Sequence, residues 1–582
     1  MSDRPVAFAA PDRVLRDVLI ILALWAVVVF PSFFTRDPWN PDEPRYVEVA
    51  REMVALNDYV VPHLDGSLYP DKPPLFFWLA AGLYKLGAGI AAGRFVAAFC
   101  NLGTLLLVYF FGRKLLPSPG ALLAAVITAT TFLFFLLLKP GVIDPLLTVL
   151  TTGALISAYH ALQGGRRRRA LWLAYYGLSA LAVLSKGPVG LCVPAVVLIP
   201  YAVLNRKALS AGGWAHAAGA VLFLCIVGAW LVPVMARAGE AYTKDILFDQ
   251  QAVYTIRHES HTHGPQYYIL QLPLYLLPWA LFAGLAMVQT YLAWRKQGDR
   301  NAGFLLLWFV CILAFFTVIP AKRERYLLPL IPAVGLMCAR YFALALKDGY
   351  VWPRLQKWFS AATFGLIALV ALVALVAVYA NALAPAFVQS TTANAYPDAP
   401  LLQSRLQMAA GAPALLGATC LLGLLMGLAG AGLWMGFRRP AGIRAVIIAV
   451  AAIVTVSLLL DLVLYPLANP IKSGAYFATR SAPYLKEADK LFLFGDEYSG
   501  VINLYTGITS IPILDGRDKT ERLVDALQSE QKVAVVTDAD RVRQVRDRLP
   551  QSTVMPVREQ IGHRSMVLIC NWKRQGETPP PP

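Results

Sequence analysis

The chain has 582 residues, is 57% apolar and 15% charged, and has a mean hydropathy of +0.55. Soluble proteins of this length carry about 25% charged residues, spread over several domains of about 150 residues each. This composition excludes them and implies a polytopic membrane protein. The net charge of +17 falls largely in short Lys- and Arg-rich loops that orient helices, so nucleic acid is not an expected partner.

In chain order, thirteen apolar runs of about 20 residues, each long enough to cross a hydrocarbon core, are expected to span the bilayer. They are 14–34, 94–112, 120–138, 142–162, 170–185, 188–204, 213–236, 268–294, 302–319, 326–346, 358–383, 408–436 and 445–467. The first run follows Arg13 and Arg16 with no small-residue cleavage site after it, and is expected to be an anchor. Leu75 to Ala92 is short and Gly-rich and carries Lys85, which would sit deep in lipid. Treated as an interfacial helix, it leaves twenty basic residues in seven short segments on one side, the cytoplasmic one. The N-terminus is then cytoplasmic and the C-terminus external. Three long external segments result: 35–93, 237–267 and 384–407.

The membrane body is expected over 1–469. Residues 470–582 have ordinary charge density. Their short apolar runs, 490–494 and 532–536, are each followed by a helical stretch (Thr520 to Gln528 and Asp540 to Arg548), which predicts a small external α/β domain. Six of the seven cysteines lie in apolar spans and only Cys570 lies outside them, which excludes a disulfide scaffold.

The chemistry is expected on the external side. In Trp39-Asn-Pro-Asp-Glu-Pro-Arg-Tyr46, Asp42 opens a helical stretch. Its plain structural reading is an N-cap; its functional reading is a carboxylate facing the membrane edge. In Tyr69-Pro-Asp-Lys-Pro-Pro-Leu75, prolines on both sides stiffen the backbone that aims Lys72. Asp144 stands at the outer start of the fourth span and Lys186 at an outer turn. Arg257, His258, His261 and His263 occupy the second long loop. Their spacing fits neither a helical His pair nor a finger, so no metal site is expected. Lys322, Arg323 and Arg325 oppose the positive-inside bias, which points to phosphate or anionic lipid, with snorkelling to head groups as the plain alternative.

The motifs Asp42-Glu-Pro-Arg-Tyr46, Arg51-Glu-Met53 and Tyr69-Pro-Asp-Lys-Pro-Pro-Leu75 resemble those of the protein O-mannosyltransferase-like (GT-C) membrane glycosyltransferases. They look most like those of the bacterial lipid A 4-amino-4-deoxy-L-arabinose transferases. The resemblance runs over essentially the whole chain; Asp71 stands where that group has Glu, and Asn40-Pro41 intervenes after Trp39. It implies a GT-C fold over 1–469 and transfer of the sugar from undecaprenyl phosphate to a lipid A phosphate at the periplasmic face of the inner membrane, conferring polymyxin resistance. Asp42 and Lys72 would then be catalytic. Lys72 and Arg257 would meet the donor phosphate, with Lys322, Arg323 and Arg325 as further candidates. Arg45, Tyr46 and Tyr69 would position donor and acceptor, with Asp144 as a supporting partner. A phosphate acceptor is already anionic and needs little deprotonation, whereas a hydroxyl acceptor would need Asp42 as base. No nucleotide or redox cofactor is required, and a divalent metal is permitted but not demanded. Two other readings stay open: a related transferase acting on O-antigen, another glycolipid or a protein hydroxyl, and a transporter of lipid-linked sugars.

Overall fold

In a bilayer every backbone N–H and C=O must be satisfied within its own segment, so apolar runs of this length can only be helices. The computed structural model describes residues 11–204, 213–246, 262–348, parts of 358–373, 412–438, 443–495 and 500–574, apart from 515, 517 and 563. Among the described residues seven helices are long and apolar enough to cross a membrane, or eight if a bent pair counts as one span. Shorter apolar helices accompany them at Gly120–Thr130, Val189–Leu204 and Gly417–Gly432. The thirteen crossings expected from hydropathy are therefore not all present as long helices there. The segment 384–407 lies outside the described residues.

Two expected spans are broken. The run 268–294 divides into Gln266–Tyr275 and Ala280–Gln297, bent by 111°. Pro273 and Pro278 remove two amide donors in that stretch, which hydropathy alone does not register. The run 120–138 divides at Thr131, whose backbone is extended. The two breaks satisfy one another: Phe132 N–H donates to the Leu277 carbonyl at 2.8 Å, and the Trp279 indole donates to Thr130 Oγ1 at 3.0 Å.

The stretch after Lys72 forms a helix of only nine residues, Leu75–Leu83, about 14 Å long. Gly87 (φ 93°) and Gly89 (φ 52°) then turn the chain through the left-handed region, before Ala92–Leu115 runs for 24 residues. Lys85 lies over the Tyr59 ring at 4.8 Å.

The C-terminal domain is built on a four-stranded mixed sheet. Lys490–Leu493 pairs in parallel with Val533–Asp538, which pairs antiparallel with Arg564–Cys570, itself in a hairpin with Val554–Ile561. Helices Ala475–Glu487, Lys519–Gln528 and Ala539–Val545 pack around it. Inward-facing Ala534, Val536, Leu568 and Cys570 form one core face, and Val533, Val535, Val567 and Ile569 the other, as the two-residue period of a strand requires.

The first loop is tied down in two places, at Asn469 on the threshold of the C-terminal domain and, within that domain, around Asn503 and Ile511. Asn469 accepts from Asp37 N–H and the Trp39 indole and donates to the Thr35 carbonyl. Deeper, the helix Asp42–Ala55 presents Glu48 and Glu52, both fully buried, beside Asp65. Glu52 accepts Asp65 N–H at 2.7 Å and Gly66 N–H at 3.0 Å. Asp65 accepts from Asn503 at 2.8 Å and from Ile511 N–H at 2.7 Å. Burial raises Glu48 from its ordinary 4.5 to about 8, with Glu52 adding to the rise and Arg51 resisting it; burial likewise lifts Asp65 to about 6.

Carboxyls raised in the folded state bind more protons there than in the unfolded chain. Their contribution is therefore fully present below the ordinary values and is lost as pH climbs through about 6 for Asp65 and about 8 for Glu48. Amide exchange in 500–511 is expected to quicken between about pH 5 and about pH 8 beyond the intrinsic chemical rate, and Glu48→Gln to flatten that rise. An identical pH slope in the variant would remove Glu48 from this account.

Candidate functional site

The helix Asp42–Ala55 starts from Pro41, and no side chain caps it. The N-cap reading of Asp42 is thus replaced by something more specific, because Asp42 and Glu43 point their charges to different partners. Glu43 is buried and meets Arg36 at 2.5 Å and Arg94 Nε at 3.1 Å, and it accepts Gly141 N–H at 2.8 Å and Trp39 N–H at 3.1 Å. Burial pushes its carboxyl up, but Arg36 and Arg94 prevail and hold it near 2. Gly141 makes this approach feasible: a Cβ there would meet the Gly93 carbonyl carbon at 2.8 Å and Arg94 N at 2.9 Å. Glu43 therefore pins the start of the helix to two neighbouring segments and fixes where Asp42 stands.

Asp42 reaches the 3-10 turn Glu324–Leu330 and its approach. Arg325 Nη2 lies 2.6 Å from Asp42 Oδ2, and Arg323 Nη1 lies at 3.8 Å. The other guanidinium nitrogen of Arg325 is 3.9 Å from Asp144 Oδ2, and Asp144 Oδ1 pairs with Lys186. Lys186 in turn lies over the Tyr326 ring at 4.5 Å. On the near side, Arg45 Nη1 is 3.8 Å from Asp71 Oδ2, and Lys72 Nζ donates to the Asp71 carbonyl at 2.8 Å.

Electrostatics decide the protonation states. Burial opposes ionisation of Asp42, yet Arg325, by charge and hydrogen bond, with Arg323 and Arg45, holds its carboxyl below the ordinary range. Burial lowers the Lys72 ammonium; Asp71 and Asp42 resist, while Lys186 and Arg323 add to the lowering. Five cations (Arg45, Lys72, Lys186, Arg323, Arg325) thus share the locality with three carboxylates (Asp42, Asp71, Asp144). A half-buried cationic surplus of this kind suits a phosphate, because charge-assisted bonds strengthen as water is excluded.

The structure therefore gathers Asp42, Arg45, Lys72, Asp144, Arg323 and Arg325. Tyr46 and Tyr69 are buried beside them, edge-on to Phe77, and burial raises both phenols. Lys322 is not brought into this group: it donates to the Ile319 carbonyl and faces the Tyr268 ring at 5.9 Å. Arg257, His258 and His261 lie outside the described residues, and His263 stacks on Tyr267. Among the described residues no group of three or more His, Cys, Asp or Glu is arranged to hold a metal ion. Glu43 and the pairing of Lys186 with Asp144 were not foreseen; the signal for Lys186 was its outer position, in Ser185-Lys-Gly-Pro188.

Residues 71–232 match the dolichyl-phosphate-mannose-protein mannosyltransferase family, and 255–400 the Alg9-like mannosyltransferase family. Among curated proteins, the undecaprenyl phosphate-alpha-4-amino-4-deoxy-L-arabinose arabinosyl transferase of Edwardsiella ictaluri is 28% identical over 55% of this chain and 58% of its own. The enzyme of that name from Aeromonas salmonicida is 30% identical over 60% of this chain and 65% of its own. The match spans less than two thirds of the length of these relatives. The crystal structure of ArnT from Cupriavidus metallidurans bound to undecaprenyl phosphate superposes with a TM-score of 0.72 at 21% identity, covering 97% of this chain and 98% of that one. The chain has the fold of that structure and is similar in sequence to the aminoarabinose transferases. That fold accounts for the polytopic helical body and the C-terminal α/β domain together, since the superposition covers nearly all of both chains.

Proposed function

We propose that the chain is a glycosyltransferase of the bacterial inner membrane that moves 4-amino-4-deoxy-L-arabinose from undecaprenyl phosphate to a lipid A phosphate. On this reading the N-terminus is cytoplasmic, and the charged cluster and C-terminal domain are periplasmic. The observation that carries the proposal is an ionised Asp42 set among more cations than it needs, Arg325 at 2.6 Å above all.

In the reaction an acceptor phosphate oxygen forms a bond to the anomeric carbon, and the bond from that carbon to the donor phosphate oxygen breaks. The electron pair leaves with undecaprenyl phosphate. Lys72, Arg323 and Lys186 stabilise the charge that develops on it. No proton has to be removed from an anionic acceptor, which agrees with a carboxylate whose depressed pKa makes it a poor base. Asp42 would orient the acceptor and stabilise positive charge at the anomeric carbon. Asp144 acts through Arg325 and Lys186. The acceptor loses net negative charge, which lowers its attraction for cationic peptides.

The test is lipid A mass spectrometry in a host that makes the donor but lacks its own transferase. The wild-type chain is expected to add one aminoarabinose, and Lys72→Ala to reduce product by about 100-fold or more. Unmodified lipid A with the protein confirmed in the membrane would sink the assigned acceptor and sugar.

A further inference from the structure

A cavity of about 340 Å³ lies between the C-terminal domain and the first loop, apart from the Asp42–Arg325 pair but joined to that site through Arg45. One wall is the carboxyl end of the two parallel strands, at Phe494, Gly495 and Thr537. In open α/β sheets ligands are bound in that crevice. The opposite wall is Asn40, Pro41 and Arg45, the residues flanking Asp42.

Charge in the cavity is one-sided. Among the described residues, Arg45, Lys472, Arg541 and Arg564 line it, against the single carboxylate Asp538. That carboxylate is already engaged: it accepts Arg541 N–H at 2.9 Å, and its other oxygen lies 3.3 Å from Arg541 Nε. Arg45 carries a buried Nε with no hydrogen-bond partner among the described residues. A buried donor of this kind is costly until an acceptor reaches it. Lys472 closes the helix Tyr465–Lys472, the end of the apolar stretch Val446–Lys472, which places one edge of the cavity where the membrane helix emerges. Apolar Phe477, Ile502 and Met566 line the remainder.

We infer that this cavity holds the phosphate-bearing headgroup of an anionic glycolipid, presented from the bilayer surface and bound by Arg45, Lys472, Arg541 and Arg564. The volume suits a phosphorylated sugar and not acyl chains, which remain in the lipid. Naming this glycolipid as the acceptor rests on the proposed function: Arg45 would hand its phosphate toward Asp42. The C-terminal domain then selects the acceptor, while the membrane body holds the donor.

Binding is measured directly, without turnover, on the full chain in nanodiscs, using bis-phosphorylated lipid A and its dephosphorylated form as probes. The wild type is expected to prefer the phosphorylated probe, and Lys472→Glu and Arg564→Gln each to weaken its binding by about tenfold or more. Lys472 is exposed, so its variant is expected to fold even if the Arg564 variant does not, and binding of undecaprenyl phosphate is expected to be unchanged in both. Loss of the preference in the variants supports the inference even if no aminoarabinose is transferred, in which case the proposed function alone falls. A preference that survives both variants, or is absent in the wild type, overturns the inference while a positive transfer assay leaves the proposed function standing. Complete displacement of the lipid by millimolar inorganic phosphate would assign the cavity to free phosphate and overturn the lipid headgroup.

Discussion

Asp42→Asn is expected to lower kcat by about 10²- to 10⁴-fold, while affinity for undecaprenyl phosphate changes by less than about threefold. Asn keeps the size of the side chain and one oxygen to accept from Arg325, so the 2.6 Å contact can persist as a neutral-acceptor bond. What disappears is the negative charge beside the developing positive charge at the anomeric carbon. The pH dependence separates this role from that of a general base. Arg325, Arg323 and Arg45 hold the Asp42 carboxyl below its ordinary 3.8. The form that acts, the carboxylate, is therefore present above that value and lost only as pH falls below it. The acid limb of kcat due to Asp42 should accordingly lie below about pH 4, with no inflection from this group near neutrality. A wild-type limb between about pH 6 and 7 that vanishes in Asp42→Asn would make Asp42 a base and favour a hydroxyl acceptor. Arg325→Lys is the complementary variant. An ammonium offers one compact charge where the guanidinium spans Asp42 and Asp144, so it should weaken turnover even though the charge is conserved.

Much of this site was legible from local anomalies in the sequence. Lys72 stood out through its flanking prolines, and Arg323 and Arg325 through basic charge against the positive-inside bias; both anomalies report a side chain held in place for a reason. Partnership was not legible. Asp42 and Arg325 are separated by 283 residues, and no local pattern specifies which of several outer cations meets which carboxylate. Local context also does not divide roles between neighbours. Lys322 shares a tetrapeptide with Arg325 yet turns to a backbone carbonyl, and Glu43 adjoins Asp42 yet makes the helix anchor. In a helix or turn adjacent residues face different ways, so proximity in sequence divides roles instead of sharing them. The two strands that pair in parallel were visible singly as short apolar runs, 490–494 and 532–536, but their pairing was not. Breaks within the spans were not, because hydropathy averages over a proline or an extended threonine while the backbone cannot.

Lys139→Met is expected to destabilise the fold by about 3–5 kcal/mol, and the double variant Lys139→Met with Asp461→Leu to recover most of that loss. Lys139 is 1% exposed and Asp461 0%. Lys139 Nζ lies 2.7 Å from Asp461 Oδ1 and donates to Ser457 Oγ at 2.9 Å, with the Phe135 and Tyr465 rings at 5.1 and 5.3 Å. Asp461 lies within the apolar stretch Val446–Lys472, in a wide π-turn over Leu460–Leu464. An ionisable residue at such depth invites a catalytic reading. Here the geometry argues for a fastener: the pair is closed by its own partners and joins the turn after Leu136 to the last described membrane helix. Removing one member leaves a buried charge without its counter-ion, whereas removing both leaves an apolar contact of similar volume. Thermal unfolding in detergent, followed for the two single variants and the double, measures the coupling. A double variant as unstable as the sum of the singles would show that the pair carries no mutual energy. A stable double variant without transferase activity would move Lys139 and Asp461 from the scaffold into the reaction.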